Sequence, residues 1–168
     1  MLRLLLQTIK MGRLTEKVSA RLIPNRPAKL PTSFRQSLQI RHLDCGSCNG
    51  CDWELTAMLN SLYDLQHYGI DFVASPRHAD LLMCTGTGTT QLLNAASKTY
   101  DAMPHPKWVM AVGDCAIDGG VFKGAYASQE GLGEVLQVDV KVPGCPPTPD
   151  DLIKALLEFM GKKREEVF

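Results

Sequence analysis

The chain has 168 residues, 45% of them hydrophobic and 21% charged, which excludes a disordered or fibrous polymer and fits one domain that buries its own core. Its formal net charge of zero hides an asymmetry: residues 1–37 carry eight basic side chains against the single acid Glu16, a net of +7, and the rest carries ten basic and seventeen acidic ones, a net of −7. No apolar run nears the roughly 20 residues that cross a bilayer, and Leu4-Leu5-Leu6 is too short for a secretory core, so the six cysteines are expected in a reducing compartment, as ligands or redox groups.

Residues 1–37 read as a basic arm. Leu2, Leu5, Ile9 and Leu14 mark one face of a short helix, and Pro24, Pro27 and Pro31 favour an extended strap from about Asn25. Such an arm suits a membrane surface or an acidic neighbouring subunit; a frayed tail is the plainer alternative. An α/β domain is expected over 38–162 and a charged tail over 163–168. Within the domain, Leu38–Leu43 alternates as a half-exposed strand does. Leu55, Met58, Leu59 and Leu62 recur at helical spacing and predict an amphipathic helix ending near Gly69. Short strands follow at Ile70–Val73 and Leu81–Cys84, then a helix at about Thr90–Tyr100, and Trp108–Val112 reads as a buried central strand. The glycine-rich stretch 113–133 is expected to be a long functional loop, and Val138–Val142 the last strand. Thr148 as N-cap, Pro149 behind it and Asp151 as the third helical residue start a final helix whose buried stripe is Leu152, Ile153, Leu156, Leu157 and Met160. This alternation predicts an α/β fold with a mainly parallel sheet flanked by helices, where ligands sit beyond the carboxyl ends of the strands.

The cysteines fall where that rule places ligands. Cys45, Cys48 and Cys51 follow the first strand, Cys115 follows Trp108–Val112 in Gly113-Asp114-Cys115-Ala116, and Cys145 follows the last strand in Gly144-Cys145-Pro146. A parallel sheet brings these loops to one edge, so four thiolates from distant stretches can meet, as an iron–sulfur cluster requires. Five candidates stand for four places. Cys84 reads as a small apolar residue of a buried strand. A structural zinc site usually pairs two CxxC units at short spacing, whereas Cys115 and Cys145 stand singly, 30 residues apart. A Cys48–Cys51 dithiol would leave Cys115 and Cys145 without a task. A nucleophilic cysteine wants a histidine base, and His42, His67, His78 and His105 read as structural.

Together, Asp44-Cys45-Gly46-Ser47-Cys48-Asn49-Gly50-Cys51-Asp52-Trp53-Glu54, Gly113-Asp114-Cys115-Ala116-Ile117-Asp118-Gly119-Gly120 and Val142-Pro143-Gly144-Cys145-Pro146-Pro147 resemble the 20-kDa subunit family of respiratory complex I, which includes the small subunits of [NiFe] hydrogenases. The resemblance covers about residues 36–162. Complex I members carry adjacent cysteines in the first motif; Cys48-Asn49-Gly50-Cys51 is instead similar to the energy-converting, membrane-bound hydrogenases of the formate hydrogenlyase type.

The resemblance implies a flavodoxin-like fold and one [4Fe–4S] cluster on Cys48, Cys51, Cys115 and Cys145, with Cys45 outside the set. It implies an oxidoreductase subunit, active only within a complex, that relays electrons to or from a hydrogenase-like large subunit. The partners would be that subunit, a ferredoxin-like cluster subunit and membrane subunits, with no nucleic acid, at the cytoplasmic side of the cell membrane. A quinone-reducing complex I relative is the alternative. Glu54 matches an acidic position with a possible role in proton transfer or partner contact; the plainer reading is a first-turn acid favoured by the helix dipole.

Thr85-Gly86-Thr87-Gly88-Thr89-Thr90 invites a different reading. A loop between strand and helix can cradle a phosphate on its N–H groups, and this one resembles the flavodoxin FMN loop. It stands too late in the chain for that role, and a turn with a threonine helix cap is the competing expectation.

Overall fold

Strand ends in register put four loops on one edge of this protein, and a computed structural model describing Phe34 and residues 36–162 shows how. The helical face and strap expected before Phe34, and the tail at 163–168, lie outside the described residues. The elements run β1 (Leu38–Asp44), α1 (Gly50–Ala57), β2 (Ile70–Phe72), β3 (Leu81–Thr85), α2 (Leu93–Asp101), β4 (Trp108–Val112), α3 (Asp114–Asp118), β5 (Val140–Val142) and α4 (Pro149–Met160). All five strands are parallel in the order β2-β1-β3-β4-β5, the flavodoxin-like order, whose direction of winding reverses between β1 and β3. Asp44 pairs with Thr85, Thr85 with Val112, and Val112 with Val142. The chain leaves β1, β3, β4 and β5 from one line of residues.

β3 and β4 are buried along their whole length, as near-continuous apolar runs in the middle of a parallel sheet require. Alternation then divides the core in two. Leu38, Ile40, Leu81, Met83, Met110 and Val112 face α1 and α4, while Leu82, Cys84, Val109 and Ala111 face the side of α2 and α3. α4 carries most of the first face. Leu152, Ile153, Leu156, Leu157, Phe159 and Met160 are buried on it, each worth about 1.5–3 kcal/mol relative to exposure. Its start is as the sequence predicts: Thr148 Oγ1 accepts from Asp151 N at 3.3 Å and donates to Asp151 Oδ2 at 2.7 Å, with Pro149 between them.

α1 departs from expectation. It begins at Gly50, earlier than the apolar spacing indicates, and ends at Ala57 rather than near Gly69. Asn60 Oδ1 accepts from Leu62 N at 2.8 Å and Tyr63 N at 3.0 Å, folding the chain into turns. Leu55 and Met58 are buried, but Leu59 and Leu62 are exposed, so half of the apparent stripe is surface. α2 starts at Leu93 instead of Thr90, and the stretch 113–133 contains α3 and two single 3-10 turns, Gly120–Phe122 and Leu132–Glu134. Among the described residues, no helix is long and apolar enough to cross a membrane.

Candidate metal centre

The first cysteine loop is shaped by two carboxylates. Asp44 Oδ1 accepts from Gly46 N at 2.8 Å and Ser47 N at 2.7 Å, turning the chain at the end of β1. Asn49 then takes the left-handed conformation (φ 67°) and α1 begins, with Cys51 buried in its first turn and Cys48 exposed ahead of it. Asp52 fastens this turn to the sheet. Its Oδ1 accepts from Thr85 Oγ1 at 2.9 Å and lies 3.0 Å from His42 Nε2, and Oδ2 accepts from Ser47 Oγ. One side chain thus ties α1 to β1, to β3 and to the loop before Cys48.

A second carboxylate ties the other two loops. Asp114 N donates to Gly144 O at 2.9 Å, and Gly144 N donates back to Asp114 Oδ1 at 2.8 Å. Gly113 N also donates to Val142 O at 2.8 Å. Cys115, buried at the start of α3, and Cys145, exposed after β5, sit on either side of this clasp.

Glycines clear space beside three of the sulfurs. A Cβ on Gly113 would sit 2.7 Å from Cys51 Sγ; one on Gly120 would sit 3.2 Å from Cys115 Sγ, and one on Gly50 3.5 Å from Cys48 Sγ. Gly113 has φ 86° and Gly120 φ 49°, so both the space and the backbone favour glycine there. The donor set and this clearance fit a group larger than one ion. Among the described residues, no group of three or more His, Cys, Asp or Glu stands as a ready single-ion site, and four thiols are the donor set of an iron–sulfur cluster.

The four thiols feel one another. Burial pushes the Cys51 thiol up to about 12, followed by the charges of Cys115, Asp52, Cys48 and Cys145. Burial likewise raises Cys115, followed by Cys145, Cys48 and Asp114. Raised in this way, both thiols favour the protonated form, and a cation among the sulfurs would reverse that preference.

Cys45 belongs elsewhere. It is buried in the core on the α2 and α3 side together with Cys84, whereas Cys51 belongs to the core on the opposite face. Interaction between the two neighbouring thiols lowers Cys45 and raises Cys84 well above the ordinary range, while Cys45 Sγ donates to Leu43 O at 4.0 Å.

His42 is not a spectator of its strand. Its Nε2 also lies 3.1 Å from Thr85 Oγ1, and with Asp52 it floors an apolar cleft of about 250 Å³ walled by Leu55, Leu59 and Phe72. Burial lowers its pKa below 6.5, partly offset by Asp52 and Asp44. His67, His78 and His105 are on the surface. Glu54 is half-buried in α1, but it lies beyond the first turn, where the acid is Asp52.

The Thr85–Thr90 loop is closed by the protein itself. Thr87 N and Thr89 N donate to Gly46 O and Cys45 O, and Thr90 N donates to Ala127 O. A Cβ on Gly86 would sit 2.5 Å from the backbone of Gly46 and Ser47. Two of its N–H donors are taken by the Cys45–Ser47 turn and a third by Ala127 O, so this loop braces the first cysteine loop. The expected threonine cap is absent: Leu92 occupies the N-cap of α2 without a side-chain hydrogen bond.

Comparison with known proteins agrees with this geometry. The family model described as NADH ubiquinone oxidoreductase, 20 Kd subunit, matches residues 48–159, from Cys48 into α4. The chain is 38% identical over 149 residues to the Pyrococcus furiosus protein named probable membrane-bound hydrogenase subunit mbhJ, covering 89% of each chain. It is 39% identical over 145 residues to Escherichia coli formate hydrogenlyase subunit 7, covering 86% of this chain and 57% of that protein. It is 44% identical over 116 residues to an NADH-quinone oxidoreductase subunit of Citrifermentans bemidjiense, covering 69% of this chain and 68% of that protein. Among solved structures, a chain of the archaeal membrane-bound sulfane sulfur reductase superposes with a TM-score of 0.68 at 34% identity, covering 77% of this chain and 71% of that one. A chain of an NAD+-reducing [NiFe]-hydrogenase shares the fold, with a TM-score of 0.58 at 19% identity. The chain belongs to the NADH:ubiquinone oxidoreductase 20 kDa subunit family.

Proposed function

We propose that this chain is an electron-transfer subunit of a membrane-bound hydrogenase-type complex and holds one [4Fe–4S] cluster on Cys48, Cys51, Cys115 and Cys145. The observation that supports this reading is that the loops carrying Cys48 and Cys51, Cys115, and Cys145 leave strand ends in register, with Gly113 and Gly120 keeping space clear beside Cys51 and Cys115. When bound, such a cluster takes up and returns single electrons.

The chain's own residues supply the setting. Cys51 and Cys115 hold the buried side and Cys48 and Cys145 the exposed side, where an electron partner can approach. Asp52 and Asp114 fix the loops to one another before any ligand arrives. The names of relatives, subunits of a membrane-bound hydrogenase and of formate hydrogenlyase, support a setting in a multisubunit membrane-bound complex; a catalytic large subunit, a ferredoxin-like cluster subunit and membrane subunits as partners, and the cytoplasmic side of the membrane, are part of the proposal. The basic arm over 1–37 and the tail over 163–168 are then extensions of the cluster domain at 38–162.

The test is chemical. The native complex, isolated without oxygen, is expected to carry about four iron and as much sulfide on this chain. Its broad brown absorption should be bleached by dithionite. Resolved flavin bands, or zinc in place of iron, would overturn the assignment. Nickel in a co-purifying large subunit supports the hydrogenase type; quinone reduction without nickel moves the chain to the complex I type.

A further inference from the structure

Two carboxylates stand next to the candidate ligands and cannot swing away. Asp52, beside Cys51, is held by Thr85 Oγ1, Ser47 Oγ and His42 Nε2. Asp114, beside Cys115, is held by Gly144 N. Among the described residues, neither pairs with a lysine or arginine; the ion pairs present are His42–Asp52 and Lys123–Glu130. Burial favours the neutral form of His42, so the imidazole orients Asp52 without cancelling its charge.

We infer that Asp52 and Asp114 are the fixed charges that hold this site at a low reduction potential. The argument rests on the proposed four-cysteine cluster. Adding an electron there adds negative charge next to two immobile carboxylates, and in a partly dry site such charges are weakly screened. Net charge and hydrogen bonding around the sulfurs set the potential of such centres. Asp52 and Asp114 are positioning residues, acting through the sulfurs and not on a substrate. Electrons passing this site are correspondingly strongly reducing, suited to exchange with low-potential carriers.

The experiment compares Asp52→Asn, Asp114→Asn and the double variant in the anaerobically isolated complex, by iron content and by an EPR-monitored redox titration. At position 114 the amide oxygen of asparagine still accepts from Gly144 N; at position 52 it still accepts from Thr85 Oγ1, while the amide NH2 takes the place of Oδ2 and donates to Ser47 Oγ, so the charge is removed and the contacts are kept. Each single variant is expected to keep its iron and to shift its midpoint to a more positive value, and the double variant to shift further. Asp101→Asn, on the exposed end of α2, should keep the parental midpoint. A variant with full iron and the parental midpoint overturns the inference. So does an equal shift in Asp101→Asn, or loss of iron from both single variants, which would make the carboxylates assembly elements. A parent complex without iron is a separate outcome: it fells the proposed function, and this inference with it.

Discussion

Cys48, Cys51, Cys115 and Cys145 live in a different medium from Cys45 and Cys84. The first four stand at strand ends among positive-φ glycines, half of them open to solvent, and the thiols of Cys51 and Cys115 are raised by burial and by the neighbouring cysteines. The other two are 1% and 0% exposed in the core under α2 and α3, among Leu82, Ala96, Ala111 and Ala116, and interact with one another. Cys45 is only six residues from Cys51, yet the two belong to cores on opposite faces of the sheet. Chemistry here follows from which side of which strand end a thiol occupies; closeness in sequence counts for little.

The contrast breaks first under cysteine replacement. Cys115→Ser or Cys145→Ser should abolish bound iron and its absorption, while Cys45→Ser should retain both; iron lost from Cys45→Ser would erase the distinction. A core change should do the reverse. Leu156→Ala, on fully buried α4, is expected to cost about 2–5 kcal/mol in denaturant unfolding with an unchanged cluster spectrum. Gly113→Ala sharpens the same line from the rim. Its Cβ would press on Cys51 Sγ at a positive φ, so we expect about 1–3 kcal/mol of destabilisation together with lost iron. A stability loss with full iron would show that the space beside Cys51 is not used. The smallest effect is a pH slope. Burial lowers the pKa of His42 in the fold, so the unfolded chain takes its proton more readily. That contribution to stability is complete above pH 6.5 and is lost as pH falls below it, and melting curves of His42→Gln should descend less steeply over the same acidic range than those of the parent.

Much of this rim was legible because each cysteine follows an apolar run that could only be a strand, and a parallel sheet puts such ends together. What the sequence could not display were the ties between loops. Asp52 meets His42 and Thr85, 10 and 33 residues away, and Asp114 meets Gly144 across 30; no local pattern announces these partners. The one detectable signal was an acid directly beside each buried ligand candidate, Asp52 after Cys51 and Asp114 before Cys115. The apolar spacing overstates helix α1 because Leu59 and Leu62 keep helical spacing after the helix has stopped, where Asn60 Oδ1 accepts from Leu62 N and Tyr63 N and turns the chain. The Thr85–Thr90 loop was ambiguous because its use depends on what lies opposite, which turned out to be the Cys45–Ser47 backbone.

Phe34 packs edge-on against Trp108 with ring centroids 5.2 Å apart, and Trp108 meets Phe159 in the same way at 5.8 Å. Trp108 opens β4, whereas Cys115 lies beyond its far end, a strand length of roughly 13 Å at about 3.3 Å per residue. Phe34 is therefore moored at the pole opposite the sulfurs, where its ring pins the entry of the domain to the start of a central strand.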